Sequence, residues 1–137
     1  MALRYLLDTN ICIYVRQRRP TKVLTRFAAL KAGEAALSIV TYGELLYGIA
    51  KRQAPSSAEG LGQLEEFVSM IGVLPLTIDA GRSYGAVRSF LESRGQIIGS
   101  NDLWIAAHAL SANLTLVTNN EREFRRVPDL RIENWVE

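Results

Sequence analysis

The chain has 137 residues, 48% of them hydrophobic and 22% charged, a balance that describes a folded globular protein rather than a disordered one. Sixteen Lys and Arg against fourteen Asp and Glu leave a net charge of +2, so bulk charge permits a polyanionic partner without demanding one. A single cysteine, Cys12, excludes an internal disulfide, and nothing resembles a zinc-ligand cluster.

That cysteine usage suits a reducing compartment. The opening MALRYLLDTN meets charge at Arg4 and Asp8, so it lacks the apolar run of a signal peptide. No window approaches the ~20 apolar residues that span a bilayer. A cytoplasmic protein with no membrane partner is expected, built as one domain over residues 1–137 with an unstapled core.

In chain order, Arg4 to Leu7 is a short apolar run that predicts a strand. It ends at Asp8-Thr9-Asn10, which starts a helix through about Arg18. Pro20 suits the first turn of a second helix, with Val23, Leu24, Phe27 and Leu30 at 3-to-4 spacing and Gly33 past its end. Ala35 to Val40 predicts the next strand, and Thr41 opens a helix to about Arg52. Gln53 to Gly60 reads as an inter-helix loop. Leu61 to Ile71 predicts a helix, Val73 to Leu76 a strand and Ala80 to Ser93 a helix. Asn101 to Ala112 is a further helix, Thr115 to Val117 a strand, and Leu130 to Glu133 a last strand.

Strands separated by helices predict an α/β fold, a three-layer α/β/α domain around a mostly parallel sheet. In open sheets of that kind, sites form outside the carboxyl ends of the strands. Asp8, Glu44 and Asp102 all fall at such junctions. Each has an ordinary structural explanation. Asp8 suits a helix N-cap, Thr41-x-x-Glu44 matches a capping box, and Asp102 complements a helix dipole behind a Ser100 or Asn101 cap. Yet every one lies against apolar flanks, in Leu-Leu-Asp, Thr-Tyr-Gly-Glu-Leu and Asn-Asp-Leu-Trp-Ile. Carboxylates converging at the rim of a core repel one another unless a cation binds them. Oxygen ligands without His or Cys point to Mg²⁺ or Mn²⁺.

The segment Thr118 to Phe124 offers a fourth acid. Glu123, beside the apolar Phe124, is preferred over Glu121; the alternative is helix-end chemistry with an Asn cap. His108 lies six residues beyond Asp102 and reads as a packed or hydrogen-bonded histidine rather than a ligand. Cys12 reads as an inert thiol. Two basic clusters, Arg16, Arg18, Arg19 and Lys22, then Arg122, Arg125 and Arg126, are candidate phosphate contacts.

Four segments together resemble the PIN-domain ribonucleases, and among them the VapC toxins of bacterial type II toxin–antitoxin operons. They are Leu6-Leu7-Asp8-Thr9-Asn10, Ser38 to Leu45, Asn101 to Ala109, and Leu116 to Phe124, with Glu133-Asn134-Trp135 in the tail. The resemblance runs the length of the chain in register. It implies a Mg²⁺- or Mn²⁺-dependent endoribonuclease whose three core acids are Asp8, Glu44 and Asp102. Many PIN domains carry a fourth acid after the last core strand. In the most direct alignment this chain has Asn119-Asn120 there, with Glu123 three residues later.

The resemblance further implies that Thr9, Asn10, Thr118 and Asn120 orient acids or water. It implies a structured RNA substrate such as a tRNA loop, and a homodimer. The expected partner is a VapB-like antitoxin that silences the site and alone links the pair to operator DNA. A covalent phosphatase is the enzyme alternative, but its second Asp two residues on is Asn10 here. A phosphorylation-receiver domain has only Asp79 as an acceptor. A silent binding module is the alternative from a different class.

Overall fold

The computed structural model describes residues 2–137. Its centre is Tyr5–Leu7 (β1), a strand with all three residues buried. Parallel strands buried on both faces read as continuous apolar runs, which is why so short a segment suffices. Ala35–Ser38 (β2) and Thr115–Val117 (β4) pair with β1 on either side, and Val73–Leu74 (β3) and Ile132–Glu133 (β5) form the edges. The order is β3-β2-β1-β4-β5, and every pairing is parallel.

Successive strand residues face opposite sides. Tyr5 and Leu7 join Leu37 and Val117 in one core, whereas Leu6 and Leu116 belong to the other. Thr9–Gln17 (α1), Thr21–Ala28 (α2), Ile39–Ala50 (α3) and Ser56–Ile71 (α4) cover the first face through Ile11, Val15, Val23, Leu45, Ile49, Leu64 and Phe67. Ile78–Ser93 (α5), Ser100–Ser111 (α6) and the short Glu121–Phe124 (α7) cover the second through Val87, Leu91, Leu103, Ile105 and Phe124. The sandwich is the expected α/β/α arrangement.

Trp135 closes the C-terminal end. It is 1% exposed, stands edge-on to Tyr5 at 5.4 Å and donates from Nε1 to Glu133. Arg26 of α2 pairs with the same Glu133 at 2.6 Å and lies over the Trp135 ring.

The third and last strands are shorter than the sequence reading, at Val73–Leu74 and Ile132–Glu133, and α5 starts two residues earlier, at Ile78. Three further boundaries differ for reasons visible in the side chains. The second strand stops at Ser38, and α3 begins at Ile39 because the Ser38 hydroxyl accepts the Val40 N–H. Thr41 therefore lies inside the helix, buried, and the capping box with Glu44 does not form. Most of the stretch read as a loop is the first part of α4, which starts at Ser56. Gly60 explains its composition: a Cβ there would meet Ile49 of α3 at 3.3 Å and the Arg52 guanidinium at 2.6 Å. Finally, α6 starts behind Gly99 with no side-chain cap, not behind Ser100 or Asn101.

Candidate active site

Asp8 follows β1 and is the N-cap of α1, with Oδ1 accepting the Ile11 N–H at 3.0 Å. Its own N–H donates to the Val117 carbonyl, which joins it to the end of β4. The second carboxylate oxygen accepts the Thr118 hydroxyl. Asp8 is 6% exposed. Burial pushes its pKa up, opposed by the Thr118 and Ile11 hydrogen bonds. So the capping role and the site role coincide in one side chain.

Glu44, half-buried on α3, accepts from Thr9 Oγ1 at 2.6 Å and from Asn101 Nδ2 at 3.3 Å. Each donor is the chain neighbour of another acid, Asp8 or Asp102. Asp102 is half-buried in the first turn of α6. Burial, then a hydrogen bond and repulsion from Glu123, then the charges of Glu44 and Asp8, push it up to about 7. A carboxyl so displaced marks a place where negative charge is crowded.

Glu123 thus stands beside Asp102, while Glu121 is turned away and held by Arg125 and Asn134. The two candidates therefore have different neighbours. Asn120 caps no helix with its side chain; its Nδ2 donates to Glu123 at 3.2 Å and its N–H to Thr118 Oγ1 at 2.9 Å. Hydrogen bonds therefore run from Asp8 through Thr118 and Asn120 to Glu123, the acid that faces Asp102. Of the four expected supporting residues, Thr9, Thr118 and Asn120 touch acids. Asn10 reaches Asp8 through its backbone N–H alone; its exposed side chain faces Asn119 at 3.5 Å, which in turn donates to the Tyr14 hydroxyl.

Asn101, which reads in sequence only as a possible cap, is a partner of Glu44 that was missed. Its signal was a polar residue directly before an acid on an otherwise apolar helix. His108 hydrogen-bonds Ser38 deep in the protein, as a histidine on an apolar face does when it is not a ligand. Cys12 is fully buried, and burial raises its thiol pKa. Asp79 pairs with Arg82 on the exposed surface and is not among the residues that line the acidic cleft.

Asp8, Thr9, Asn10, Glu44, Asp102 and Asn120 line a cleft of about 180 Å³, with Ile105 as its apolar wall. No Lys, Arg or His is among these lining residues. A larger groove of about 390 Å³ between α1, α2 and α4 holds one acid, Glu66, and lies apart from this chemistry. Among the described residues, no group of three or more His, Cys, Asp or Glu side chains is closed into ligating geometry. The open cleft nevertheless fits a hard divalent cation. Its donors are all oxygen, its acids crowd one another, and no positive side chain offsets them. Mg²⁺ keeps several waters and needs only one or two carboxylates, so an open site is suitable.

Of the expected phosphate contacts, Arg16 is half-buried and donates to the Gly60 carbonyl, Arg125 pairs with Glu121, and Arg126 is directed at the Gln96 and Ile97 carbonyls. Arg18, Arg19, Lys22 and Arg122 remain exposed.

A five-stranded parallel sheet with carboxylates gathered at the carboxyl ends of its central strands defines a class, and residues 5–130 match the PIN domain: the chain belongs to that family. Within it, the chain is similar to ribonuclease VapC2 of Haemophilus influenzae, 44% identical over 134 residues that cover 98% of this chain and 99% of that one. It is equally similar to the tRNA(fMet)-specific endonuclease VapC of Shigella flexneri, at 44% over 133 residues, 97% of this chain and 98% of the other. Among solved structures it resembles DNA-bound VapBC from Salmonella typhimurium. The TM-score is 0.90, with 37% identity, covering 98% of this chain and 99% of that one.

Proposed function

We propose that this protein is an endoribonuclease dependent on Mg²⁺ or Mn²⁺ and the toxin of a type II toxin–antitoxin pair, arresting translation by cutting a structured RNA. The observation that carries the reading is the set of three acids, Asp8, Glu44 and Asp102, brought from distant segments to line one cleft that holds no positive side chain, with Glu123 beside Asp102. The names of its relatives, ribonuclease and tRNA-specific endonuclease, supply the substrate class.

A bound divalent cation neutralises charge on the phosphate and lowers the pKa of a nearby water. Asp8 and Asp102 would hold it, with Glu44 direct or through water. Thr118 and the α1 N-terminus orient Asp8 and oppose the upward push of burial on its pKa, as Thr9 and Asn101 orient Glu44. Glu44 and Glu123 are the two candidates for taking the proton of the attacking water. A single-stranded loop bends its backbone into such a cleft more readily than a duplex, which favours a tRNA-type loop. Arg18, Arg19, Lys22 and Arg122 are free to contact flanking phosphates.

The solved structures that this chain resembles include VapBC complexes bound to DNA. A VapB-like antitoxin is accordingly the expected partner. It would inhibit the site and link the pair to operator DNA, with this chain as a homodimer in the cytoplasm.

The test is incubation of purified protein with a tRNA transcript. Cleavage is expected only with Mg²⁺ or Mn²⁺, and is expected to vanish with excess EDTA or in Asp8→Asn. Cleavage that persists in chelator, or is unchanged in Asp8→Asn, overturns the reading.

A further inference from the structure

The sole histidine is placed where it controls more than packing. His108 is 2% exposed and Ser38 is fully buried, and Nδ1 of the ring lies 2.7 Å from the Ser38 Oγ. That oxygen also accepts the Val40 N–H at 3.1 Å as the cap of α3. An oxygen that accepts from Val40 has its own proton left to give, and with Ser38 buried, His108 Nδ1 is the acceptor in reach. The ring is then neutral, with its other nitrogen carrying the hydrogen. Burial lowers its pKa, while the Pro75 carbonyl facing the ring partly opposes that. One hydroxyl therefore joins the end of β2, the start of α3 and the body of α6.

The same two segments meet again at the cleft, through Asn101 and Glu44. Ser38 pairs with His108 and Glu44 with Asn101, so the segments pass in opposite senses and are tied at both ends. Glu44 is six residues beyond Ser38, and Asp102 six residues before His108. At 1.5 Å of rise per residue, the buried tie lies about 9 Å along each helix from the acid it governs. Over so short a lever, a slip in the helices is passed to the carboxylates nearly undiminished.

We propose that His108 is a positioning residue of the nuclease site: through Ser38 it locks α6 against the start of α3 and so sets the separation of Glu44 and Asp102 at the cation. The inference rests on the metal-dependent reading above. It concerns residues that touch neither metal nor RNA.

The test compares His108→Leu, His108→Asn and Ser38→Ala with the unaltered chain, reading Mn²⁺ affinity by titration calorimetry without RNA, then kcat and KM for RNA cleavage. Leucine fills much of the space but cannot accept the Ser38 proton. Asparagine offers an oxygen at the same branch of the side chain. His108→Leu and Ser38→Ala are expected to weaken Mn²⁺ binding tenfold or more, in the range seen when outer partners of metal ligands are removed. In both, kcat should fall and KM for RNA stay the same, while His108→Asn should recover most of the loss. If His108→Leu does not fold, Ser38→Ala and His108→Asn carry the comparison. Folded variants with unaltered Mn²⁺ affinity and kcat overturn the proposal, as does His108→Asn failing as badly as His108→Leu. Failure of the unaltered chain to bind Mn²⁺ or cut RNA refutes the metal-nuclease reading instead.

Discussion

Thr118 gives its hydroxyl proton to Asp8 across 110 residues of sequence, and the same oxygen accepts the N–H of Asn120. This one atom orients the acid at the end of β1 and starts the turn that brings Glu123 toward Asp102. Thr118→Val keeps the shape but leaves a buried carboxylate oxygen and an N–H without their partner, a loss of about 1–3 kcal/mol. Mn²⁺ affinity and cleavage are expected to fall ten- to a hundredfold, with Thr118→Ser close to the unaltered chain. Chemical denaturation and metal titration on the same samples check both halves.

Glu123 and Glu121 lie two residues apart but belong to different environments. Glu123→Gln is expected to reduce kcat at least tenfold, because it removes the acid beside Asp102. Glu121→Gln breaks only the contacts with Arg125 and Asn134, and should cut RNA at the normal rate. Single-turnover cleavage at saturating Mn²⁺ distinguishes them. Equal loss in both variants would remove Glu123 from the site.

Asp102 makes stability depend on pH in an unusual direction. Its folded pKa is about 7 against 3.8 unfolded, so between these values the folded chain holds the additional proton. Stability then falls as pH rises through that window. In chelator, Tm of the unaltered chain should decline from about pH 4 to pH 7 relative to Asp102→Asn. Glu123→Gln should flatten the decline in part, since after burial Glu123 is the largest cause of the shift. Saturating Mg²⁺ binds the ionised form and should flatten it further. Thermal scans across pH decide; a slope shared by Asp102→Asn would assign it to other groups.

Trp135 is the stability counterpart. Trp135→Ala removes a buried aromatic that packs on Tyr5 and hydrogen-bonds Glu133. About 3–5 kcal/mol is expected to be lost. The urea midpoint should drop with an unchanged slope.

Much of this was legible in sequence because Leu6-Leu7 and Leu116-Val117 are apolar pairs too short to be anything but buried strands, each ending in a polar residue. Asp8, Glu44, Asp102 and Glu123 stood out for the same reason, as acids set against apolar flanks. The β2–α3 boundary did not. Ile39-Val40-Thr41 is β-branched and prolongs the strand pattern, and only the Ser38 hydroxyl, shared between Val40 and His108, ends it. The start of α4 was hidden because Gly60 reads as a flexible linker, whereas here it permits close passage over Ile49. Partners of the acids were illegible for a different reason. Asn101 reaches Glu44 across 57 residues and Thr118 reaches Asp8 across 110, and no local pattern encodes such pairings.

The placement of β1 between β2 and β4 has a consequence for synthesis. Asp8 leaves the ribosome early, but its neighbour β4 and the hydroxyl that orients it come only with residues 115–118, and Glu123 later still. A growing chain carries Asp8 through 110 further residues before the hydroxyl that orients it is made. The acids come together only when β4 has joined the sheet, so a partner that recognises the finished fold meets the cleft as it first forms.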